Sequence, residues 1–267
     1  MFLASLASSS SGNAVFLKTE RASVLIDAGL SGKKLSALMA QIPAAPADLQ
    51  AVLLTHEHAD HICGLKVLMK RFGLPVFMTE GTAKALPRQP LGRDLPDGQF
   101  RIVREDEPLS IGDLRITPVA VSHDAAQPVA YLFESGGRRA ACVTDLGCFD
   151  ERLTEKLRGL DAIYLEANHD PMMLQAGRYP YPLKERIAGK KGHLSNDDCG
   201  RLLGRIAGST LHSVLLAHLS RENNYPPLAL AAVRAEAIRS GFAAFDTQIR
   251  LEVAPEEGIA TLDITAR

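Results

Sequence analysis

The feature that most constrains this 267-residue chain is the segment Thr55-His56-Glu57-His58-Ala59-Asp60-His61, directly behind the apolar run Ala51-Val52-Leu53-Leu54. Three of the chain's eight histidines fall within six positions there, with two carboxylates among them. Imidazole nitrogen and carboxylate oxygen are the ligand types that zinc and similar divalent ions favour. The apolar run reads as a strand, so the cluster begins where that strand ends. In an extended or turn conformation His56 and His58 point the same way. Asp60 and His61 then open the next helix, aimed at a neighbouring point. One short segment can thus hold two metal ions side by side, a more specific reading than a solvated turn that happens to be rich in histidine.

Two metals need more ligands than this segment offers. The chain supplies candidates just past other apolar strands: His123 after Ile116–Val121, Asp145 after Ala140–Thr144 and His218 after Val214–Ala217. Taken singly, a histidine at a strand end is more often a solvated loop residue. Three such residues in a chain that also carries the cluster shift the balance, because sites collect on the loops at strand ends of layered folds.

Apolar content of 46% and charged content of 23% are ordinary for a globular protein. A formal net charge of −1 argues against a non-specific nucleic-acid coat but leaves room for a local basic groove. Cys63, Cys142, Cys148 and Cys199 form no CxxC pair and read as buried thiols in a reducing compartment. The stretch Met1–Ala7 lacks a basic leader, and no run approaches the roughly 20 apolar residues of a membrane span. A cytoplasmic protein of one domain, residues 1–267, is the expectation.

Strands are expected at 15–17, 23–26, 51–54, 75–78, 101–104, 114–121, 129–133, 139–144, 162–166, 214–217 and 249–253. Helices are expected from Ser31 to about Gln41, and at 64–71, 184–187, 196–206 and 227–239, with an irregular Pro- and Gly-rich stretch at 87–99. The run Ser8–Asn13 reads as a tight turn. Strand groups interleaved with helices, without a dividing linker, imply sheets covered by helices in an α/β protein.

The order Asp27, His56-x-His58-x-Asp60-His61, His123, Asp145, His218 resembles the metallo-β-lactamase superfamily. That resemblance implies an αββα sandwich with a dinuclear site on one edge, holding two divalent ions, zinc or manganese. By it, His56, His58 and His123 hold one ion, Asp60, His61 and His218 hold the other, and Asp145 bridges. Asp27 would orient a ligand histidine without touching metal.

The superfamily hosts several chemistries, so the surroundings must choose among them. Glu166-Ala167-Asn168-His169-Asp170 and Gly192-His193-Leu194-Ser195-Asn196 resemble two loops of the tRNase Z nucleases. Carried over, Glu166 would hold His193, and His193 would protonate the leaving oxygen. Phosphodiester cleavage does expel an alkoxide that needs a proton, and an imidazolium kept charged by a carboxylate can give one. The alternative makes His193 the flank of a helix capped by Ser195 or Asn196.

With Ser8–Asn13, Tyr179–Lys184 and Arg221–Asn224 added, the likeness over nearly the whole chain is to the YycJ/WalJ branch. It implies a DNA exonuclease acting on double-stranded ends from the 5′ side. Asp60, as a metal ligand, is placed to orient the attacking water or accept its proton. The strip Arg178, Lys184, Arg186, Lys190 and Lys191, against Glu185 alone, would suit a phosphate backbone, although it also reads as a solvated helix face. Asn13 and Ser10 are further candidate phosphate contacts by the resemblance. An RNA-processing nuclease, a lactone or lactam hydrolase, and a non-catalytic binding module remain as alternatives. Oligomeric state is not legible.

Overall fold

Apolar runs such as Ala51-Val52-Leu53-Leu54 and Val214–Ala217 are too continuous for strands wetted on one face. In the computed structural model, which describes residues 1–208 and 210–264, both runs are buried throughout. The first sheet takes β1 (Phe2–Ser9), β2 (Gly12–Lys18), β3 (Ser23–Ile26), β4 (Ala51–Leu53), β5 (Val76–Thr79) and β6 (Phe100–Val103). The second takes β7 (Leu109–Ile111), β8 (Leu114–Ala120), β9 (Val129–Ser135), β10 (Arg138–Val143), β11 (Ala162–Glu166), β12 (Ser213–Ala217) and β13 (Arg250–Val253). The last described strand, β14 (Glu257–Leu262), crosses back to the first sheet and pairs with β1. The strand orders are β14-β1-β2-β3-β4-β5-β6 and β13-β12-β11-β10-β9-β8-β7.

Alternation along each strand assigns its side chains to two different cores. Val24, Ile26, Ala51 and Leu53 meet Tyr131, Phe133, Tyr164 and Leu215 between the sheets. Leu25 and Val52 point outward onto Leu35, Leu38, Leu65 and Met69 of helices Gly32–Met39 and Leu65–Phe72. On the far side, Ile163, Leu165, Val214 and Leu216 pack on Leu202, Leu203, Val233 and Ala237 of helices Asn196–Ile206 and Pro226–Arg239. The layers are helix, sheet, sheet, helix, as expected.

β3, β4 and β5 run parallel, and so do β10, β11 and β12. Their C-terminal ends therefore gather along one edge of the sandwich. The two sheets are tied there: Val129 N–H donates to Thr55 O at 3.1 Å, and the Tyr131 hydroxyl donates to Leu54 O at 2.9 Å.

The structure corrects several expectations. Phe2–Ser9 is a strand, so Ser8–Asn13 is mostly strand with its turn at Ser10-Ser11. Short helices at Glu80–Ala85, Glu151–Leu157 and Pro171–Ala176 were not anticipated, nor were β7 and β14. Cys142 and Cys199 are buried thiols, but Cys63 is exposed and Cys148 half-buried. No described helix is long and apolar enough to cross a membrane.

Candidate metal centre

Each candidate ligand sits where a strand stops. Asp27 follows β3, His56 follows β4, Asp145 lies just past β10 and His218 directly follows β12. Asp27, Asp145 and His218 turn out of their strands with φ of 58°, 54° and 54°. Residues with side chains pay for this left-handed backbone, and such strain concentrates at functional sites. His58 caps the helix Ala59–Ile62 in extended backbone, which places Asp60 and His61 in its first turn as the spacing suggested. Gly29 permits that helix to close on the hairpin, since a Cβ there would stand 1.7 Å from Asp60 O and 2.3 Å from Asn13 N.

The structure brings all seven expected ligands together. Ligand atoms of His56, His58 and His123 lie within 4.8 Å of one another, and so do those of Asp60, His61 and His218. Asp145 stands between the groups. Its Oδ2 is 3.2 Å from His61 Nε2, and its Oδ1 is 3.7 Å from His123 Nε2 and 3.8 Å from His218 Nε2.

The distal nitrogens are fixed from behind. His61 Nδ1 is 2.8 Å from Asp27 Oδ2, and His123 Nδ1 is 3.0 Å from Gly192 O. His56 Nδ1 is 3.0 Å from Thr55 Oγ1, which itself donates to Asp27 Oδ2 at 2.9 Å. His218 Nδ1 is 3.2 Å from Glu166 Oε1. With acceptors at Nδ1, the proton belongs there and Nε2 keeps its lone pair for a cation. Among the described residues, His56 Nε2, His218 Nε2 and Asp145 Oδ2 are buried without a hydrogen-bond partner. Buried polar atoms are rarely left unpaired; His56 Nε2 belongs to one ligand group, His218 Nε2 to the other and Asp145 stands between them, which fits a divalent cation in each group.

Glu166, His193 and Asp145 form a second layer of charge. Glu166 is fully buried, and its Oε1 is 2.7 Å from His193 Nδ1. Its Oε2 accepts the backbone N–H of Leu146 at 2.7 Å and of Leu194 at 3.3 Å. Its ligand atom also lies within 4.8 Å of those of Asp145, His193 and His218. The carboxylate already serves donors on both oxygens, so it suits orientation better than ligation. Burial opposes ionisation of Glu166, yet His193 and His218 outweigh it and draw its pKa down to about 2. Burial likewise disfavours charge on His193, but Glu166 lifts its pKa above the ordinary histidine value.

The expected substrate contacts divide. Ser10, Arg186 and His193 line a cavity of about 180 Å³ that opens onto His218. Asn13 is buried, with its amide donating to Ser9 O and Asp60 Oδ2 and lying 3.1 Å from His61 Nε2, so it braces the cluster from inside. Lys191 lines a separate cavity of about 490 Å³ beyond His123. Lys184 faces a groove on the far side of its own helix. The carbonyl of Lys190 accepts Ser122 Oγ at 2.7 Å.

Three participants escaped the sequence reading. Thr55 is the hub beneath His56 and Asp27. Asn168 donates to His218 O at 2.8 Å. Asp124 Oδ1 lies 3.3 Å from His123 Nε2, while its Oδ2 accepts Arg186 Nε at 2.6 Å. The adjacency Thr55-His56 and the pair His123-Asp124 were visible; the partners of Asn168 and Asp124 lie 50 and 62 positions away and were not.

Burial works against charge on His61 and His218, but Asp27, Asp60 and Asp145 around His61, and Asp145, Asp60 and Glu166 around His218, raise both well above the ordinary histidine value. A cation must displace those protons. Metal affinity is therefore expected to strengthen as pH rises, by about tenfold per pH unit for each proton displaced, until the histidines are neutral. Calorimetric titrations at several pH values, in buffers of different ionisation enthalpy, measure both the slope and the protons released.

This fold and this cluster place the chain in the β-lactamase superfamily, to which it belongs: the superfamily domain matches residues 22–218. Over 224 residues it is 39% identical to the exodeoxyribonuclease WalJ of Streptococcus pneumoniae, covering 84% of this chain and 83% of that one. It is 38% identical over 237 residues to the exodeoxyribonuclease YycJ of Bacillus anthracis, covering 89% of each chain. The metallo-β-lactamase fold protein YhfI of Bacillus subtilis superposes with a TM-score of 0.68 over 98% of this chain and 100% of its own, at 17% identity, a likeness of fold.

Proposed function

We propose that the protein is a two-metal phosphodiesterase that degrades DNA from double-stranded ends in the 5′ to 3′ direction. The observation that carries the reading is the Glu166–His193 pair at 2.7 Å, set beside Asp145 at the edge of the metal cluster. A phosphodiester's leaving alkoxide needs a proton, and a charged imidazole held by a buried carboxylate at that point can supply it. The identity to two exodeoxyribonucleases favours DNA over RNA.

His56, His58 and His123 would hold one divalent ion and Asp60, His61 and His218 the other, with Asp145 between them; zinc and manganese both suit these ligands. Two such ions lower the pKa of a water and offset the charge of a phosphoryl oxygen. Asp60 would orient the attacking water. Burial pushes the Asp60 pKa up, but His61 and His218 outweigh it and hold the carboxylate well below its ordinary range, so it serves as an acceptor more than as a proton store. As the bond from phosphorus to the leaving oxygen breaks, His193 would pass its Nε2 proton to that oxygen. Glu166 keeps the imidazole charged and aimed. Ser10 and Arg186, which line the cavity beside His218, would receive the phosphate backbone at the metals, with Lys184, Lys190 and Lys191 around it adding positive charge at longer range. Unpaired thiols fit a reducing, cytoplasmic setting.

The test is one panel: metal-loaded protein with labelled duplex DNA, single-stranded DNA, RNA and a chromogenic lactam. Release of nucleotides from the 5′ end of duplex DNA is expected. Turnover of the lactam with no nucleic acid cut would defeat the proposal.

A further inference from the structure

The helix Tyr181–Ala188 buries none of its residues and stands as a wall with a cavity on each side. Leu183, Arg186 and Ile187 face the metal cavity of about 180 Å³. Tyr181, Lys184 and Ala188 face a second, largely apolar groove of about 470 Å³, floored by Pro171 and Leu174 of the neighbouring helix. That volume is typical of a small-ligand site.

Two features of the groove point to a flat aromatic ligand with polar edges. Tyr181 is 70% exposed at its mouth, which leaves its ring available for stacking. His169 lines the groove while only 3% exposed, and its Nδ1 is buried without a partner among the described residues. Its backbone is held rigidly, with His169 O accepting Asn196 N–H at 2.9 Å, so the imidazole is a fixed polar edge. Lys184 and Glu185 stand together at the rim, with Lys184 Nζ donating to Gln175 O at 2.6 Å. Stacking ring and buried hydrogen-bonding edge match a nucleobase.

The spacing decides which base. Neighbouring bases of one strand stack at about 3.4 Å, whereas a helix with its side chains is about 10–12 Å across. A wall of that thickness fits between the two strands of an opened duplex, not between stacked neighbours. Resting on the nuclease reading above, we propose that helix Tyr181–Ala188 separates the strands at a duplex end. It steers the cut strand to the metals, and the groove behind it receives the terminal base of the uncut strand, stacked on Tyr181. Capture there offsets part of the cost of unpairing.

Three substrates of one sequence test this: a blunt duplex, the cut strand alone, and a duplex whose terminal pairs are mismatched. Base–aromatic stacking is strong enough that Tyr181→Ala should digest the blunt duplex about tenfold more slowly than wild type, yet stay within about twofold on the other two. Tyr181→Phe, which keeps the ring and loses only the hydroxyl, should match wild type on all three. An equal loss on duplex and single strand, or no loss on the blunt duplex, overturns the strand-separating role while leaving the nuclease reading intact. A wild-type protein inert on all three overturns both.

Discussion

His193→Ala should retain its metal and lose roughly 10² to 10⁴ of its activity on DNA, the usual worth of a positioned general acid. The geometry supports a selective loss. His193 touches Glu166 at 2.7 Å and stands 3.7 Å from Asp145 Oδ1; His61 and His123 are oriented by Asp27 and by Gly192 O, while His218 shares Glu166 Oε1 with His193 and keeps that contact when the His193 side chain is removed. The proton matters only when the departing oxygen is a poor leaving group. A nitrophenyl ester of a nucleotide departs without one, so the variant should hydrolyse it nearly as fast as wild type. The pH profile adds a signed check: a general acid works while protonated, so wild-type activity falls as pH rises through the elevated His193 pKa, and the variant should lack that limb. An equal loss on DNA and on the nitrophenyl ester would assign His193 to binding or to folding.

Asp145→Asn is expected to have the larger effect. Asparagine tolerates the left-handed backbone that Asp145 adopts at φ 54°, so the turn survives while the charge is removed. The lost carboxylate lies within 3.8 Å of imidazoles from both ligand groups. Burial disfavours its charge, but His218 and His61 hold its pKa well below the carboxylate range, so it is ionised under all ordinary conditions. Removing a contribution of several kcal/mol from a paired-cation site corresponds to a fall of at least about 10³ in activity. Metal content by mass spectrometry should drop with it, while circular dichroism stays unchanged. Retention of both metals and of activity would show that Asp145 does not join the two groups.

Much of this site was legible because its chemistry is written in residue types that seldom occur by chance at strand ends. His123, Asp145 and His218 each follow an apolar run, and the parallel strands β10 to β12 deliver the latter two to one edge. β1 was not legible. Phe2–Ser9 is rich in alanine and serine and buried along nearly its whole length, so it shows neither the alternation nor the β-branched residues that mark a strand. The short helices at Glu151–Leu157 and Pro171–Ala176 were missed because two turns carry too little period to recognise. The basic strip is divided among three cavities, because Lys184 and Arg186 stand on opposite sides of helix Tyr181–Ala188 and Lys191 lies beyond its end.

The most direct measurement follows metal and chemistry in the same samples. Metal-free protein is titrated with zinc or manganese, and bound ion and digestion of a labelled duplex are recorded at each step. Cleavage is expected to emerge as the second ion per chain binds, since both ions would be needed to activate the water and offset the charge of the phosphoryl oxygen. Full cleavage without any metal, or a fully loaded protein that leaves every phosphodiester intact, would contradict it.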